Sequence, residues 1–434
     1  MSALLGMIDN YRSRLDSRAA LIALVLMHST LTCLSLIKVA DFQYYIHFYE
    51  ERAALAITVA TAFSTVGLLF AFARFSFGYF VGFYLYTLIL GYLWIDSFSV
   101  YDYPHLLAGM SAAASLVLLL LPLLFMQSQL RPVLVLTQVQ FDHLLTLLLV
   151  ICVAVIAVAA TYNFRLVPMS RIYDYRDALE FPGVIRYLVG WVSSTMLPYV
   201  FASCWLLGYR WRAALALVLL LFFYPITLTK FAFFTPAWLI MLALLSSLLL
   251  ARTAVIASIF VPMFVCLVAV SLTGSDIDGV TGRIFDTVNI RMFGTPSSAL
   301  DIYNHFFAEN PPTWFCQISL LKPFMACPYQ ESLPVVMQKT YDLGNLNASL
   351  FATEGLASVG HYLAPVTALV AGFVLALGNG AAAGLPPRLV LISAGVLPHI
   401  LLNVPLSVAM LTHGMAILFL LWYVTPRALF ERKP

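Results

Sequence analysis

Twelve runs of this chain are long, apolar and almost free of charge: 19–37, 53–73, 75–95, 105–126, 143–163, 184–207, 213–229, 231–250, 254–273, 355–378, 386–401 and 402–423. A helix needs about 20 such residues to cross the hydrocarbon core of a bilayer. Lipid offers no partner to backbone polar groups, so only helices and closed barrels can cross it. Barrel strands alternate apolar and polar residues in pieces of about 10. These Leu-, Ala-, Val- and Phe-rich runs do not alternate, so the expected fold is an all-α, polytopic helical membrane protein with about 12 transmembrane helices. Composition agrees, with 62% hydrophobic and only 10% charged residues, against about 25% charged in ordinary soluble domains. A net charge of +3 without a long basic stretch argues against nucleic acid as a partner.

Charge orients the runs. With the N-terminus in the cytoplasm and sides alternating, Arg12, Arg14, Arg18, Arg74, Arg131, Arg210, Arg212, Arg252, Arg388, Arg427, Arg432 and Lys433 fall inside, with only Asp9, Asp16, Asp142 and Glu431 beside them. The outer face holds 11 basic and 16 acidic residues. This is the positive-inside pattern, and it places both termini in the cytoplasm. Residues 1–18 are then a cytoplasmic interfacial segment. Residues 19–273 form nine spans with an outer segment at 164–183, 274–353 form a large periplasmic loop, 355–423 form three more spans, and 424–434 a cytoplasmic tail. The run 19–37 has no small-x-small cleavage site and reads as a retained first span. No internal repeat and no paired pattern of interrupted helices stands out.

The two outer segments hold most of the unusual sequence. The stretch 274–353 has near-soluble composition, and short helices are expected at 296–308 and 331–341. It contains Cys316 and Cys327, which form either a disulfide or two buried thiols; an oxidising face favours the bridge. Cys33, Cys152, Cys204 and Cys266 lie in apolar runs and read as packing residues. Arg165, Arg171 and Arg176 occupy the first outer segment, Arg283 and Arg291 the second, and Lys230 stands between two runs. Individually these cations have ordinary explanations: Arg176 with Glu180 and Arg283 with Asp286 have helical pairing distance, and Lys230 can snorkel. As a set on one face of a charge-poor chain, they are more simply explained by a phosphate-bearing ligand, which guanidinium groups grip in a bidentate fashion.

Acid–base candidates are few. Glu354 precedes His361 by seven residues, two turns along one helix face, although a carboxylate there also suits the helix dipole. His305 with Asp301, at i and i+4, is a second pair. His28, His105, His143, His399 and His413 have no companions that suggest a metal site. Asp276-Ile277-Asp278 has the spacing of a metal-binding DxD, amid turn-forming residues. Zinc-type spacing, a phosphate-cradling Gly-rich loop and a nucleophile elbow are all lacking.

Four strings carry a resemblance: SRIYDYRDALEFPGVIRYLVGWVSSTMLPYV, TLTKFAFFTPAWLIML, VNIRMFGTPSSALDIYNHF and NLNASLFATEGLASVGHYLAP. Across roughly 160–380 the chain resembles the Wzy-type oligosaccharide repeat-unit polymerases of O-antigen and enterobacterial common antigen synthesis. The related O-antigen ligases share the layout, so polymerase and ligase both stay open. One departure is Leu228-Thr229-Lys230-Phe231, where family members often have Gly-Thr/Ser-Arg or Gly-Ser-Lys; the missing glycine implies a different local turn. The resemblance implies a GT-C-like, metal-independent glycosyltransferase of the bacterial inner membrane, without a cofactor and with its active site facing the periplasm. Its partners would be undecaprenyl-pyrophosphate-linked oligosaccharides as donor and acceptor, membrane lipids and a chain-length regulator. Pyrophosphate binding would fall to Arg176, Lys230 and Arg291, with Arg165, Arg171 and Arg283 as further candidates. Glu354, His305 and His361 would be the candidates for a base. A twelve-span transporter is the third expectation, and it would place charges at mid-span.

Overall fold

The computed structural model describes residues 12–131, 133–176, 179, 181–274 and 279–431. Among these residues every regular element is helical and no strand occurs. Nine of the described helices are long and apolar enough to cross a membrane: Arg18–Ala40, Glu50–Phe72, Phe77–Asp96, His105–Phe125, Gln138–Tyr162, Arg210–Thr227, Lys230–Leu248, Ala251–Thr273 and Phe351–Ala382. Several begin on a side-chain cap. Ser17, Ser76 and Thr229 each accept from the backbone N–H three residues on, and Thr137 and Gln140 form a reciprocal capping box.

The other three expected runs are helical but interrupted. The run 184–207 becomes Gly183–Trp191, a π-helical stretch Val192–Met196, and Leu197–Leu207. The run 386–401 becomes Pro387–Ser393 and Leu397–Asn403, and 402–423 becomes Leu406–Leu411 and Met415–Val424. Pro405 cannot donate to the helix before it and forces Val404 out of the helical region. Gly414, at φ 74°, takes a left-handed turn ahead of Met415–Val424.

The chain folds into two compact units. One comprises Met1–Met126, Arg252–Ala376 and His399–Ser407; the other comprises Gln127–Ala251, Leu377–Pro398 and Val408–Pro434. The core of the first unit is the Phe77–Asp96 helix, buried from Phe77 to Ile95. A helix apolar on every side must be surrounded, and this one packs against Arg18–Ala40, Ala53–Gly67, His105–Phe125 and Thr295–Glu309. Two of its tyrosines pair with serines inside: Tyr84 meets Ser258 at 2.8 Å and Tyr86 meets Ser29 at 2.7 Å. Gly91 is required by close approach. A Cβ there would lie 2.4 Å from Ser297 Oγ, and Ser297 donates to the Leu88 carbonyl at 3.0 Å.

The long outer segment differs between its two halves. Val280–Phe285, the π-helical Asp286–Gly294 and Thr295–Glu309 form one continuous helical stretch. Its polar residues Asn289, Ser297, Asp301 and Asn304 are buried. Asn289 Nδ2 donates to Ser35 Oγ (2.7 Å) and to the Met263 carbonyl (3.2 Å), reaching the middle of Ala251–Thr273. Part of the near-soluble composition therefore serves buried hydrogen bonds rather than water. The second half holds the Leu333–Tyr341 helix and a loop closed by a Cys316–Cys327 disulfide with a Cα–Cα distance of 5.4 Å.

Candidate functional site

Within the first unit, the Thr295–Glu309 helix meets the beginning of Phe351–Ala382. His361 Nε2 lies 2.9 Å from Asn304 Oδ1, and Asn304 Nδ2 donates to the Tyr92 hydroxyl at 3.1 Å. The amide is thereby oriented, so His361 Nε2 is the donor in its contact. Glu354 sits in the π-helical stretch Phe351–Ala357. Its Oε2 accepts from Thr353 Oγ1 (2.9 Å) and the Leu406 N–H (3.1 Å), and its Oε1 from the Ser407 N–H (2.9 Å) and Ser407 Oγ (2.8 Å). The carboxylate thus accepts from two backbone N–H groups and the Ser407 hydroxyl, capping the backbone that Pro405 leaves open, while the single Thr353 hydroxyl proton is shared with the Ser349 carbonyl at 2.9 Å. These contacts suit Glu354 to an anchoring role. His305 does not pair with Asp301. Its Nδ1 meets the Tyr341 hydroxyl at 2.6 Å, and its ring stacks on Tyr101 at 4.9 Å.

Asp301 belongs to a cluster that sequence reasoning missed. It accepts from Ser99 Oγ at 3.2 Å and is hydrogen-bonded to the Tyr103 hydroxyl. The same hydroxyl lies 2.7 Å from Asp96 Oδ1, and His105 Nδ1 lies 2.8 Å from that oxygen. His105 Nε2 faces the Tyr101 carbonyl at 3.0 Å, so Nε2 carries a proton. Tyr103 has one proton for two carboxyl groups, so a further proton on one of the acids favours the pairing. Burial points to Asp301: it pushes this carboxyl up to about 7, against the lowering effect of the Tyr103 and Ser99 hydrogen bonds, with Asp96 raising it further. Tyr103 itself is held far above the ordinary phenol value, chiefly by burial. Asp96 stands at the end of an apolar run and His105 at the start of the next; nothing in their spacing announces that Asp301, some 200 residues on, joins them.

The cation candidates divide between the units. In the first, Arg283 and Arg291 are exposed on the 280–309 stretch, and Arg291 Nε lies 3.5 Å from Asp286 Oδ1. In the second, the segment after Gln138–Tyr162 is fastened to the end of Arg210–Thr227. Asn163 Nδ2 donates to the Pro225 (3.1 Å) and Ile226 (2.8 Å) carbonyls, and the Arg165 N–H donates to the Pro225 carbonyl at 2.9 Å. The Tyr224 hydroxyl donates to the Val167 carbonyl at 2.5 Å. This brings the Arg165 segment beside the turn that leads to Lys230. Arg165 is exposed and lies over the Tyr175 ring at 5.7 Å, Arg171 is exposed, and Arg176 ends the short Ile172–Arg176 helix. Lys230 is half-buried at the start of Lys230–Leu248, just after the Thr229 cap. Leu228, just before the Thr229 cap, takes the left-handed conformation that glycine favours, at φ 48° and ψ 45°.

Asp276 and Asp278, together with Asp177 and Glu180, the acids near Arg176, lie outside the described residues. Among the described residues, no three His, Cys, Asp or Glu side chains converge as a metal site would require. No family model, curated protein or solved structure matches this chain.

Proposed function

We propose that this protein is a membrane-embedded glycosyltransferase that polymerises undecaprenyl-pyrophosphate-linked oligosaccharide repeat units on the periplasmic face of a bacterial inner membrane, for a surface polysaccharide. The observation that carries the reading is the pairing of two of the four resembling strings: the Arg291 and His305 string packs against the Glu354 and His361 string in the first unit. In the second unit the residues just before another string, Asn163 and Arg165, are fastened to Pro225 and Ile226, just before the string that holds Lys230. The proposal includes twelve spans with cytoplasmic termini and a GT-C-like architecture. Two ion pairs support the sidedness, because Asp16 with Arg252 and Asp142 with Arg212 each join residues assigned to the cytoplasm.

In this reaction the acceptor hydroxyl oxygen bonds to the anomeric carbon of the donor glycan. The bond from that carbon to the pyrophosphate oxygen breaks, and the leaving group departs with the electron pair. The resemblance gives the stabilisation of charge developing on pyrophosphate to Arg291 and Arg283 in the first unit and to Arg176, Lys230, Arg165 and Arg171 in the second, each unit described by itself. The hydroxyl proton passes to a base, for which His361 and His305 are candidates beside Glu354, whose carboxylate is held by the Leu406 and Ser407 N–H groups. Purified protein in lipid vesicles, given one lipid-linked repeat alone, should build a ladder of products. Arg291→Ala should abolish the ladder while the protein still folds. A normal ladder from that variant would overturn the site assignment. No product from the wild type would favour a ligase, which requires a different acceptor. The interruptions at Pro405 and Gly414 favour a second reading, transport, because broken helices line substrate paths in transporters; uptake of labelled glycan into vesicles without any ladder would select it.

A further inference from the structure

The disulfide-closed loop has an unusual surface. Every residue from Leu320 to Ala326 is exposed, including Leu320 at 65% and Phe324 at 85%. The loop is not a loose excursion. Gln317 Nε2 donates to the Glu331 carbonyl at 3.1 Å, and the 3-10 turn Lys322–Phe324 shapes the tip. The neck is pinned to a candidate membrane span: the Thr313 N–H donates to the Ala357 carbonyl at 2.7 Å, and the Trp314 N–H to the Ser358 carbonyl at 3.1 Å. Just past the break at Gly360 (φ 74°, ψ 176°) that kinks this span come Tyr362, 81% exposed, and Leu363, 50% exposed. They open a row of exposed apolar residues that continues through Val366, Val370 and Phe373. Such a row on a spanning helix faces lipid, so the neck sits where the lipid-facing surface begins. Trp314, 56% exposed, and Tyr362 are the residue types found at membrane interfaces. Between Cys316 and Cys327 the only charge is Lys322, and there is no acid.

The geometry points to a membrane-docking role: the 316–327 loop lays Leu320, Leu321, Phe324 and Met325 into the leaflet beside the start of Phe351–Ala382, with Lys322 against anionic headgroups. Burying exposed apolar side chains in the acyl boundary is favourable, and a cation near an anionic surface adds to it. The disulfide keeps the apolar tip at fixed reach from the neck.

The test uses the full chain in nanodiscs of phosphatidylethanolamine with phosphatidylglycerol. A trifluoromethyl-phenylalanine replaces Phe324, and a control places the same label at Lys339, which is exposed in the following helix. A nitroxide on the lipid acyl chain should broaden the fluorine signal at 324 and leave 339 sharp. A soluble gadolinium chelate should do the reverse. Lys322→Glu should shift the docked population roughly fivefold towards the free loop in these discs, and little in phosphatidylcholine discs. A label at 324 that responds like the control overturns the proposal. So does a label shielded from both reagents, which would mean that a second copy or another protein covers the loop.

Discussion

Tyr103 holds two carboxyl groups with a single proton, and this fixes what Asp301 must do. Burial pushes its carboxyl up to about 7 in the folded protein, against 3.8 ordinarily. Between those values the folded protein keeps a proton that the unfolded chain releases. Stability is therefore greatest at the acid end of that window and falls as pH rises towards 7, by an amount on the order of a few kcal/mol. Asp301→Asn supplies a permanent donor to Tyr103 and should flatten this dependence. Unfolding midpoints of the detergent-purified protein across the window, wild type against variant, measure it; parallel curves would remove Asp301 as the titrating group. Glu354 invites a different experiment. Replacing it with Gln turns an acceptor into a donor facing N–H and O–H groups, which should cost about 1–3 kcal/mol. If Glu354 is an anchor, stability and activity fall together. Activity lost with the midpoint unchanged would restore it as a base. The sequence suggested Glu354 and His361 as one polar wall because periodicity stacks them. It could not indicate that Pro405, fifty residues on, leaves backbone N–H groups for that carboxylate to satisfy.

At the scale of elements, the apolar runs were legible because hydrophobic length is a direct physical requirement of crossing lipid. The interruptions were less so. Pro405 and Gly414 are visible signals, but the π-helical stretches at Val192–Met196, Asp286–Gly294 and Phe351–Ala357 leave no mark in composition. The 280–309 stretch misleads for another reason. Asn289, Ser297, Asp301 and Asn304 look like residues for water, and composition does not tell water from a buried partner. Packing of this stretch depends on Gly91, which makes a specific prediction. Gly91→Ala places a methyl 2.4 Å from Ser297 Oγ, and should lower stability by about 1–3 kcal/mol, the usual cost of overpacking. Ser297→Gly removes the obstructing side chain, so the double variant should recover part of that loss. Thermal unfolding of the four proteins gives the cycle, and simple additivity would mean that the helices do not meet there.

At the scale of the whole molecule, the sequence assigns sides through the distribution of its few charges, and the ion pairs within each unit agree with that assignment. Asp16 meets Arg252 at 2.5 Å although 236 residues separate them, and Asp142 meets Arg212 at the same distance. An odd error in the number of crossings between two partners would put them on opposite sides of the membrane. Each pair therefore requires an even number of spans between its members, and the apolar runs of the sequence supply eight between Asp16 and Arg252 and two between Asp142 and Arg212. The second count requires the interrupted 183–207 stretch to cross completely, which its length alone does not establish. Labelling tests this. Trp211 lies beside Arg212 and is 89% exposed, and Lys339 lies 65% exposed in the outer segment. In intact cells, a membrane-impermeant maleimide should reach Lys339→Cys, and should reach Trp211→Cys only after the membrane is opened. The wild type is the blank, since Cys152, Cys204 and Cys266 are buried and Cys33 is half-buried. Labelling of Trp211→Cys from outside would place Arg212 and its partner Asp142 on the outer side, and the cationic segment around Arg165, one crossing beyond Asp142, would then lie in the cytoplasm, on the face opposite to the pyrophosphate chemistry proposed for it.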